Sequence, residues 1–526
     1  MMRDVLIGID AGTSVIKSVA FDLGGRQLAI AAVPNSYEAV GRTGSVQDLS
    51  RTWADTVKTL VELSAGVENL PGRVAAIAVT GQGDGTWMID GDGEPVGKGW
   101  LWLDARASET VERLRGDSGD VERFARTGSG LAACQQGPQL RWMMDHAPEM
   151  LAGAATAFHC KDWLYFNLTG QRATDPSEAN FTFGNFRDRQ YSDEVISFLG
   201  LEKLRHLLPE IVDGATSHHA LSKAAGSATG LPAGIPVVLG YVDVVCTALG
   251  AGLYDPGTDA GCSIIGSTGM HMRLATSAED VRLNRDLTGY TMCMPIPDTF
   301  TQMQSNMAAT LNIDWILSIA GGVLKGMGVE KSKGELLAHV DGWLQEAKGT
   351  PLLFEPYISE AGERGPFVDA SARASFVGLS STHGFGDMLR AVFDGLALAA
   401  RDCYAEMGPL PERIRLTGGA ARSASLRRIL GGALGASIQT SEREEAGAAG
   451  VAMIAAVSLG IYPSMADCVA DWVRPHQRPA EPADEELVRR YDALFPAYQQ
   501  SRLALRPVWH ALSHAAGSAD QQDRQK

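Results

Sequence analysis

Two short runs of small residues have the composition of an anion site. Asp10-Ala11-Gly12-Thr13-Ser14 joins the apolar run VLIGID to VIKSVAFD, and Gly266-Ser267-Thr268-Gly269 joins DAGCSII to MHMRLA. A tight Gly/Ser/Thr turn between two strands aims several N–H groups and hydroxyls into one concavity, as phosphate binding requires. Taken alone, each run is equally well a plain hairpin turn. Their matching positions in two halves of the chain favour the anion site. Asp10, at the end of a buried strand, is placed to hold Mg2+, which takes few carboxylates plus phosphate oxygens.

Asp243 stands alone among apolar residues in GYVDVVCTALGAG, where a strand gives way to a helix. One reading is a helix N-cap. The other is a carboxylate facing a cleft, placed to take the proton of a substrate hydroxyl during phosphoryl transfer. Rival nucleotide motifs fail. The nearest approach to G-x-x-x-x-G-K-[ST], Gly93 to Lys98, has the wrong spacing. The fingerprint-like stretch Gly128 to Ala133 follows the charged helical segment VERFARTG rather than a strand.

The elements that would position these residues read as α/β. Three strands joined by two tight turns span Asp4 to Val33, a helix covers Ser50 to Leu63, and VAAIAVTG returns as a continuous apolar strand of the buried parallel kind. The stretch from Arg106 to Leu231 is more helical, with helices expected at Pro138–His146 and Lys161–Leu168. At Gly234 strand grammar restarts and a second α/β unit is expected to begin, with IPVVLGY, a helix from Asp243 to Leu253, then DAGCSII and MHMRLA around the second turn. A long helix near Phe385–Met407, the strand IRLT and helices near Ser423–Leu434 and Glu444–Leu459 follow. Residues 8–16 (GIDAGTSVI) and 257–265 (GTDAGCSII) agree at Gly, Asp, Ala, Gly and Ser, which suggests duplication. The register is open, because either AGCS or GSTG could be the second turn; apolar flanks favour GSTG.

Composition narrows the classes. A chain of 526 residues makes two large domains or three small ones, at about 100–250 residues each. Apolar residues at 45% and charged residues at 21% are those of an ordinary globular protein. Lys and Arg total 46 against 62 Asp and Glu, a net charge of −16, and no basic cluster tracks phosphates, so a nucleic-acid partner is disfavoured. An anionic ligand must then be held by local N–H groups, helix N-termini or a metal. Seven scattered cysteines without a C-x-x-C pair imply a reducing compartment and no zinc site. The N-terminus lacks a signal-peptide core, and the longest uncharged apolar run, Ala446–Tyr462, falls short of a span of about 20 residues. A buried helix in a cytoplasmic protein, with no membrane partner, is expected.

Ten or so segments, in order, resemble the FGGY carbohydrate kinases. They are GIDAGTSVIKSVAFD, AVTGQGDGTWMID, GWLWLDARA, PQLRWMMDHAPE, LTGQRATDPSEAN, GYVDVVCTALGAG, GSTG, EAGERGPFVDASARASFVGL, RAVFDGLALAARD, RLTGGAARSASLRRILGGALG and AGAAGVAMIAAVSLGIYP. The resemblance implies two duplicated actin-like (ribonuclease-H-like) α/β ATPase domains flanking a central cleft. The boundaries expected are 1–247 for the polyol-binding half, 248–510 for the nucleotide half, and 511–526 for a polar disordered tail. It implies ATP and Mg2+ as cofactors, a small-molecule polyol or sugar as partner, and a homodimer.

Carried over by position, Asp243 becomes the general base, and Asp10 with Asp243 the Mg2+-linked carboxylates. Gly12, Thr13, Ser14, Lys17, Gly266, Ser267, Thr268 and Gly269 become phosphate contacts, and Gly418, Gly419 and Ala420 the bed for adenosine. Gln82, Asp84, Trp102, Asp104 and Arg106, with Asp243, become substrate contacts. Where ketose-specific members carry Met-His and glycerol-specific members Arg-Glu, this chain has Gly83-Asp84; Val244 replaces the Gln that follows the base in the glycerol group. The expected substrate is a neutral polyol slightly larger than glycerol, with erythritol first. Ketoses, pentoses and glycerol are the alternatives within the family, and an ATPase or sugar sensor without phosphotransfer is the alternative outside it.

Overall fold

A computed structural model describes residues 3–349 and 351–523. The run Val74–Gly81 is buried at every position and lies between Val5–Ala11 and Pro236–Leu239. A strand covered on both faces has no reason to alternate, hence its unbroken apolar sequence. The first sheet runs Gln27–Pro34, Val15–Asp22, Val5–Ala11, Val74–Gly81, Pro236–Leu239 and His219–Ala220. Its first three strands are antiparallel, and Val74–Gly81 and Pro236–Leu239 run parallel to Val5–Ala11.

The second sheet repeats this plan. Phe300–Asn306, Gly269–Ala275 and Ala260–Ile265 are antiparallel, and Arg413–Thr417 and Ser437–Thr440 follow in parallel. Tyr290–Cys293 adds a strand outside Phe300–Asn306. Three antiparallel strands followed by two parallel ones, in the same order twice, carry the duplication. The sequence repeat does not. Gly8 and Asp10 lie within a strand, whereas Gly257 and Asp259 precede theirs. Counted back from the turns, which are Gly12–Ser14 and Gly266–Thr268, the counterpart of Asp10 is Ile264.

Two boundary expectations need correction. The strand after Gly234 closes the first sheet rather than opening a second unit, and a cut at 247 would divide the continuous helix Asp243–Ala251. The expected disordered tail from 511 is helical as far as it is described: a single helix spans Glu485–Asp523. Residues 524–526 lie outside the described residues. Gly128 caps the helix Asp120–Thr127 in the left-handed conformation, in keeping with its rejection as a dinucleotide fingerprint.

The halves meet through two helices that will be called the Asp243 helix (Asp243–Ala251) and the Ala446 helix (Ala446–Ser458). The Ala446 helix belongs to the second half of the sequence, yet it lies on the first sheet, against Val5–Ala11 and Val74–Gly81, and crosses the Asp243 helix. It is apolar on every face because every face is covered. The crossing is a backbone contact. A Cβ on Gly450 would fall 1.9 Å from the Cys246 carbonyl oxygen, one on Gly250 2.0 Å from that of Ala446, and one on Gly8 2.2 Å from that of Ala448. Core residues of both halves, among them Leu6, Val19, Val245, Met272 and Val451, form one cluster around this crossing.

Gly450→Ala must therefore push the two helices apart, at a cost of about 1–3 kcal/mol or more. Gly322→Ala, on an exposed helix face with open space around the added methyl, should be neutral or stabilising by up to about 1 kcal/mol. Paired thermal-melting measurements test this. Equal midpoints for the two variants would refute the backbone-contact account.

Candidate active site

The floor of the cleft is made by strand and helix ends. Asp10 is the penultimate residue of Val5–Ala11, and the first turn of the Ala446 helix presses against it: a Cβ on Gly447 would lie 2.5 Å from Asp10 Oδ2. Burial pushes the Asp10 carboxyl up to about 6, against the pull of Lys17 and with a further push from Glu445. Asp243 is the first residue of its own helix. The N-cap is Val242, without a side-chain cap bond, so the capping reading of Asp243 fails. Burial, then the negative charge of Asp10, raise Asp243 to about 7, although the Val244 amide pulls the other way. Two carboxylates thus share a floor into which two helix N-termini open, a field that favours negative charge.

The two turns flank this floor. Asn35 Nδ2 donates to the Gly12 carbonyl at 2.9 Å. The second turn is braced by the helix Thr310–Gly326, through Ala309 N to Ser267 O at 2.7 Å and Thr310 N to Gly266 O at 3.0 Å. Beside it, Gly418 (φ 87°) and Gly419 follow the strand Arg413–Thr417, and Gly418 packs within 2.5 Å, Cβ to oxygen, of Ile265. Nothing lies within 4 Å of a Cβ built on Gly419, which leaves room for a ring against the chain.

Thr13, Gln82, Asp84, Trp102, Asp243 and Thr268, all singled out by the resemblance, line one cavity. Phe181, Val242, Met270 and Met292 add apolar wall. Thr13 Oγ1 receives the Trp102 indole N–H at 2.8 Å and donates to Gln82 Oε1 at 2.9 Å; Gln82 Nε2 donates to Gln47 at 2.7 Å. This chain of bonds fixes the indole and the amide in place. Asp84 has φ 56°, a left-handed conformation rare outside glycine. One carboxylate oxygen receives the Cys134 thiol at 3.3 Å, and the other is buried without a hydrogen-bond partner among the described residues. Burial raises its pKa, and the Cys134 thiol, His159 and Arg364 counter that rise.

Three expected ligands sit elsewhere. Asp104 accepts from Ser45 N (2.8 Å), Arg106 N (3.0 Å) and the Arg106 guanidinium (2.6 Å), and Arg106 stacks 3.2 Å from the centre of the Trp100 ring. Both are partnered within the wall and neither lines the cavity. Lys17 Nζ bonds both oxygens of Glu445, at 3.0 and 2.8 Å, and so joins the halves instead of standing free for phosphate.

Sequence reasoning passed over several groups. Tyr290 and Arg364, from the second half, line the same cavity; the charged pair Glu363-Arg364 between two glycines was the available signal. Beneath Gly83 lies a buried acid, Glu178, whose oxygens have no hydrogen-bond partner among the described residues. Burial raises it to about 8, and His159 Nε2 lies 3.5 Å away. Lys161 neutralises Asp162 and Asp175 in the same layer, at 2.5 and 2.6 Å. The first half therefore backs the cavity with a buried charge network that leaves no room at Gly83: a Cβ there would lie 2.4 Å from Val242 Cγ2 and 3.0 Å from Glu178 Oε1.

Comparison with known proteins agrees with this architecture. Residues 5–250 match the N-terminal domain of the FGGY family of carbohydrate kinases, and residues 261–459 match its C-terminal domain. The chain is 54% identical to an erythritol kinase of Brucella abortus (strain 2308), over 97% of this chain and 98% of that one. It is 25% identical to a xylulose kinase of Bacillus subtilis (strain 168), over 94% and 96% of the two chains. Among solved structures, a gluconate kinase from Lactobacillus acidophilus superposes with a TM-score of 0.86 at 20% identity, covering 97% of this chain and 99% of that one, a likeness of fold. With a repeated three-plus-two sheet, a cleft between the halves and both domain models matched in order, the chain belongs to the FGGY family of carbohydrate kinases.

Proposed function

We propose that the chain transfers the γ-phosphoryl group of ATP to a terminal hydroxyl of erythritol. The placement of Asp243 carries the reading. It lies between the two turns, paired with no cation among the described residues, at the wall of a cavity whose other polar groups suit hydroxyls. The relative of known name at 54% identity is an erythritol kinase, and Gly83-Asp84 supplies an acid without a bulky neighbour. The seven cysteines are all free and buried, which supports action in the reducing cytoplasm. Among the described residues no helix is long and apolar enough to cross a membrane.

In this mechanism adenosine lies along Gly418, Gly419 and Ala420, and the polyphosphate reaches between Gly266–Gly269 and Gly12–Ser14. The Trp102 indole covers the carbon chain of the polyol, while Gln82 and Asp84 accept from its hydroxyls. Asp243 orients the reacting hydroxyl and takes its proton late, as a loose phosphoryl-transfer transition state requires. The donor set fits Mg2+: no group of three or more candidate ligands exists among the described residues, but Asp10 and Asp243 are the few carboxylates that Mg2+ takes alongside phosphate oxygens. Bound through Asp10, Mg2+ would neutralise charge on the phosphates. The apolar walls keep water from the transferring group.

A coupled ADP assay over erythritol, the threitols, glycerol, ribitol, xylulose and ribulose should give the highest kcat/KM with erythritol. Best turnover on a five-carbon ketose would replace the substrate, and polyol-independent hydrolysis would replace the reaction class. Asp243→Asn should keep the fold and nucleotide binding while lowering kcat by about 100- to 10,000-fold; near-normal turnover removes Asp243 as the base. Asp243 works only when ionised. With its carboxyl raised to about 7, kcat/KM for the polyol should fall about tenfold per unit below pH 7. A profile flat from pH 5 to 8 contradicts that assignment.

A further inference from the structure

Arg364 is the cation in the polyol cavity and comes from the half that holds no other proposed polyol ligand. It lies in the loop after the strand Leu353–Glu355, and this loop is fixed without help from the guanidinium's terminal nitrogens. The buried Glu363 carboxylate accepts Met307 N and Arg364 N, each at 2.8 Å. Asn306 Nδ2 donates to Gly365 O at 2.9 Å, and Thr288 Oγ1 to Pro366 O at 2.9 Å. Arg364 Nε donates to Ser305 Oγ at 3.0 Å. The terminal nitrogens make no hydrogen bond or ion pair with the described residues, although the residue is partly buried.

Its position along the cavity is set by what adjoins it. Arg364, Trp102 and Tyr290 also form part of the wall of a second cavity, whereas Asp243, Thr13 and Thr268 do not. Arg364 thus stands towards the end remote from the base and the turns. Asp84 lines the first cavity with Arg364, and the Cys134 thiol that bonds its carboxylate lines the second. A hydroxyl is the neutral group that satisfies both, donating to the carboxylate and accepting from the guanidinium.

We propose that Arg364 is a specificity-determining residue: its terminal nitrogens hold a polyol hydroxyl distant from the phosphorylated end, with Asp84 as the acceptor opposite. A polyol held this way spans the two halves, so its length is measured against the gap between them. Erythritol, one carbon longer than glycerol, would reach Arg364 where glycerol would not. The inference rests on the function proposed above.

The test compares erythritol and glycerol as substrates of the full-length wild type and of Arg364→Ala, Arg364→Gln and Arg364→Lys. Losing a charge-assisted hydrogen bond to substrate should lower kcat/KM for erythritol by about 10- to 100-fold in the Ala and Gln variants, chiefly through KM. The loss for glycerol should stay under about threefold, because a contact never made cannot be lost. KM for ATP should hold, and Lys should restore part of the erythritol preference. Equal losses on both polyols, no loss on erythritol, or a changed KM for ATP would overturn the assignment while leaving the kinase reading intact. A wild type that turns over neither polyol would remove the kinase reading and this inference together. Thermal midpoints of Gln and Lys matching wild type exclude unfolding as the cause.

Discussion

The active-site geometry depends on a contact between two helix backbones. Where the Asp243 helix crosses the Ala446 helix, glycines at 250 and 450 leave each carbonyl about one atom's width from the facing Cα. No side chain separates them, so the crossing has almost no freedom to shift. That rigidity serves the site directly. The first turn of one helix carries Asp243, and the first turn of the other lies against Asp10. Because the Ala446 helix comes from the second half and lies on the first sheet, the two halves share one core beneath the cleft.

The same arrangement answers an electrostatic difficulty. A protein with a net charge of −16 repels polyphosphate at long range, and its one lysine near the first turn is already paired with Glu445. Positive potential comes instead from the N-termini of the Asp243 and Ala446 helices. Burial does the rest. Asp10 and Asp243 are half-buried, and the cost of desolvating their charge, with the charge of Asp10 added at Asp243, raises both carboxyls towards neutrality. A floor that resists ionisation repels phosphate less than two free carboxylates would.

Around the polyol cavity, local and distant residues divide the work. Strand ends of the first half supply Thr13 and Gln82, whose hydroxyl and amide are locked by Trp102 and Gln47. The buried layer of His159, Lys161, Asp162, Asp175 and Glu178 stiffens the ground behind Gly83. The second half contributes Tyr290 and Arg364 across the cleft. Asp104 and Arg106, whose types suit hydroxyls equally well, are consumed by their own salt bridge and by the Trp100 ring. Residue type identified candidates, but only the direction of each side chain separated those that line the cavity from those that brace its wall.

The sequence by itself determined the class of fold, the two Gly/Ser/Thr turns, the isolated Asp243 at the head of its helix and most of the first-half wall. These are local properties: turns need particular small residues, buried strands need continuous apolar runs, and an isolated Asp at a strand-to-helix junction has few roles. The tertiary structure decided what depends on residues far apart in the chain. It showed that the apparent repeat at 257–265 is out of register with the true duplication, which lives in strand order. It assigned the strand after Gly234 to the first sheet and made the last residues helical through Asp523. It paired Lys17 with Glu445 and Asp104 with Arg106, and it set Arg364 on the wall of the cavity that Asp84 and Asp243 line. Each of those outcomes depends on which partner lies within hydrogen-bonding reach, a distance of about 3 Å that spacing along the chain does not encode.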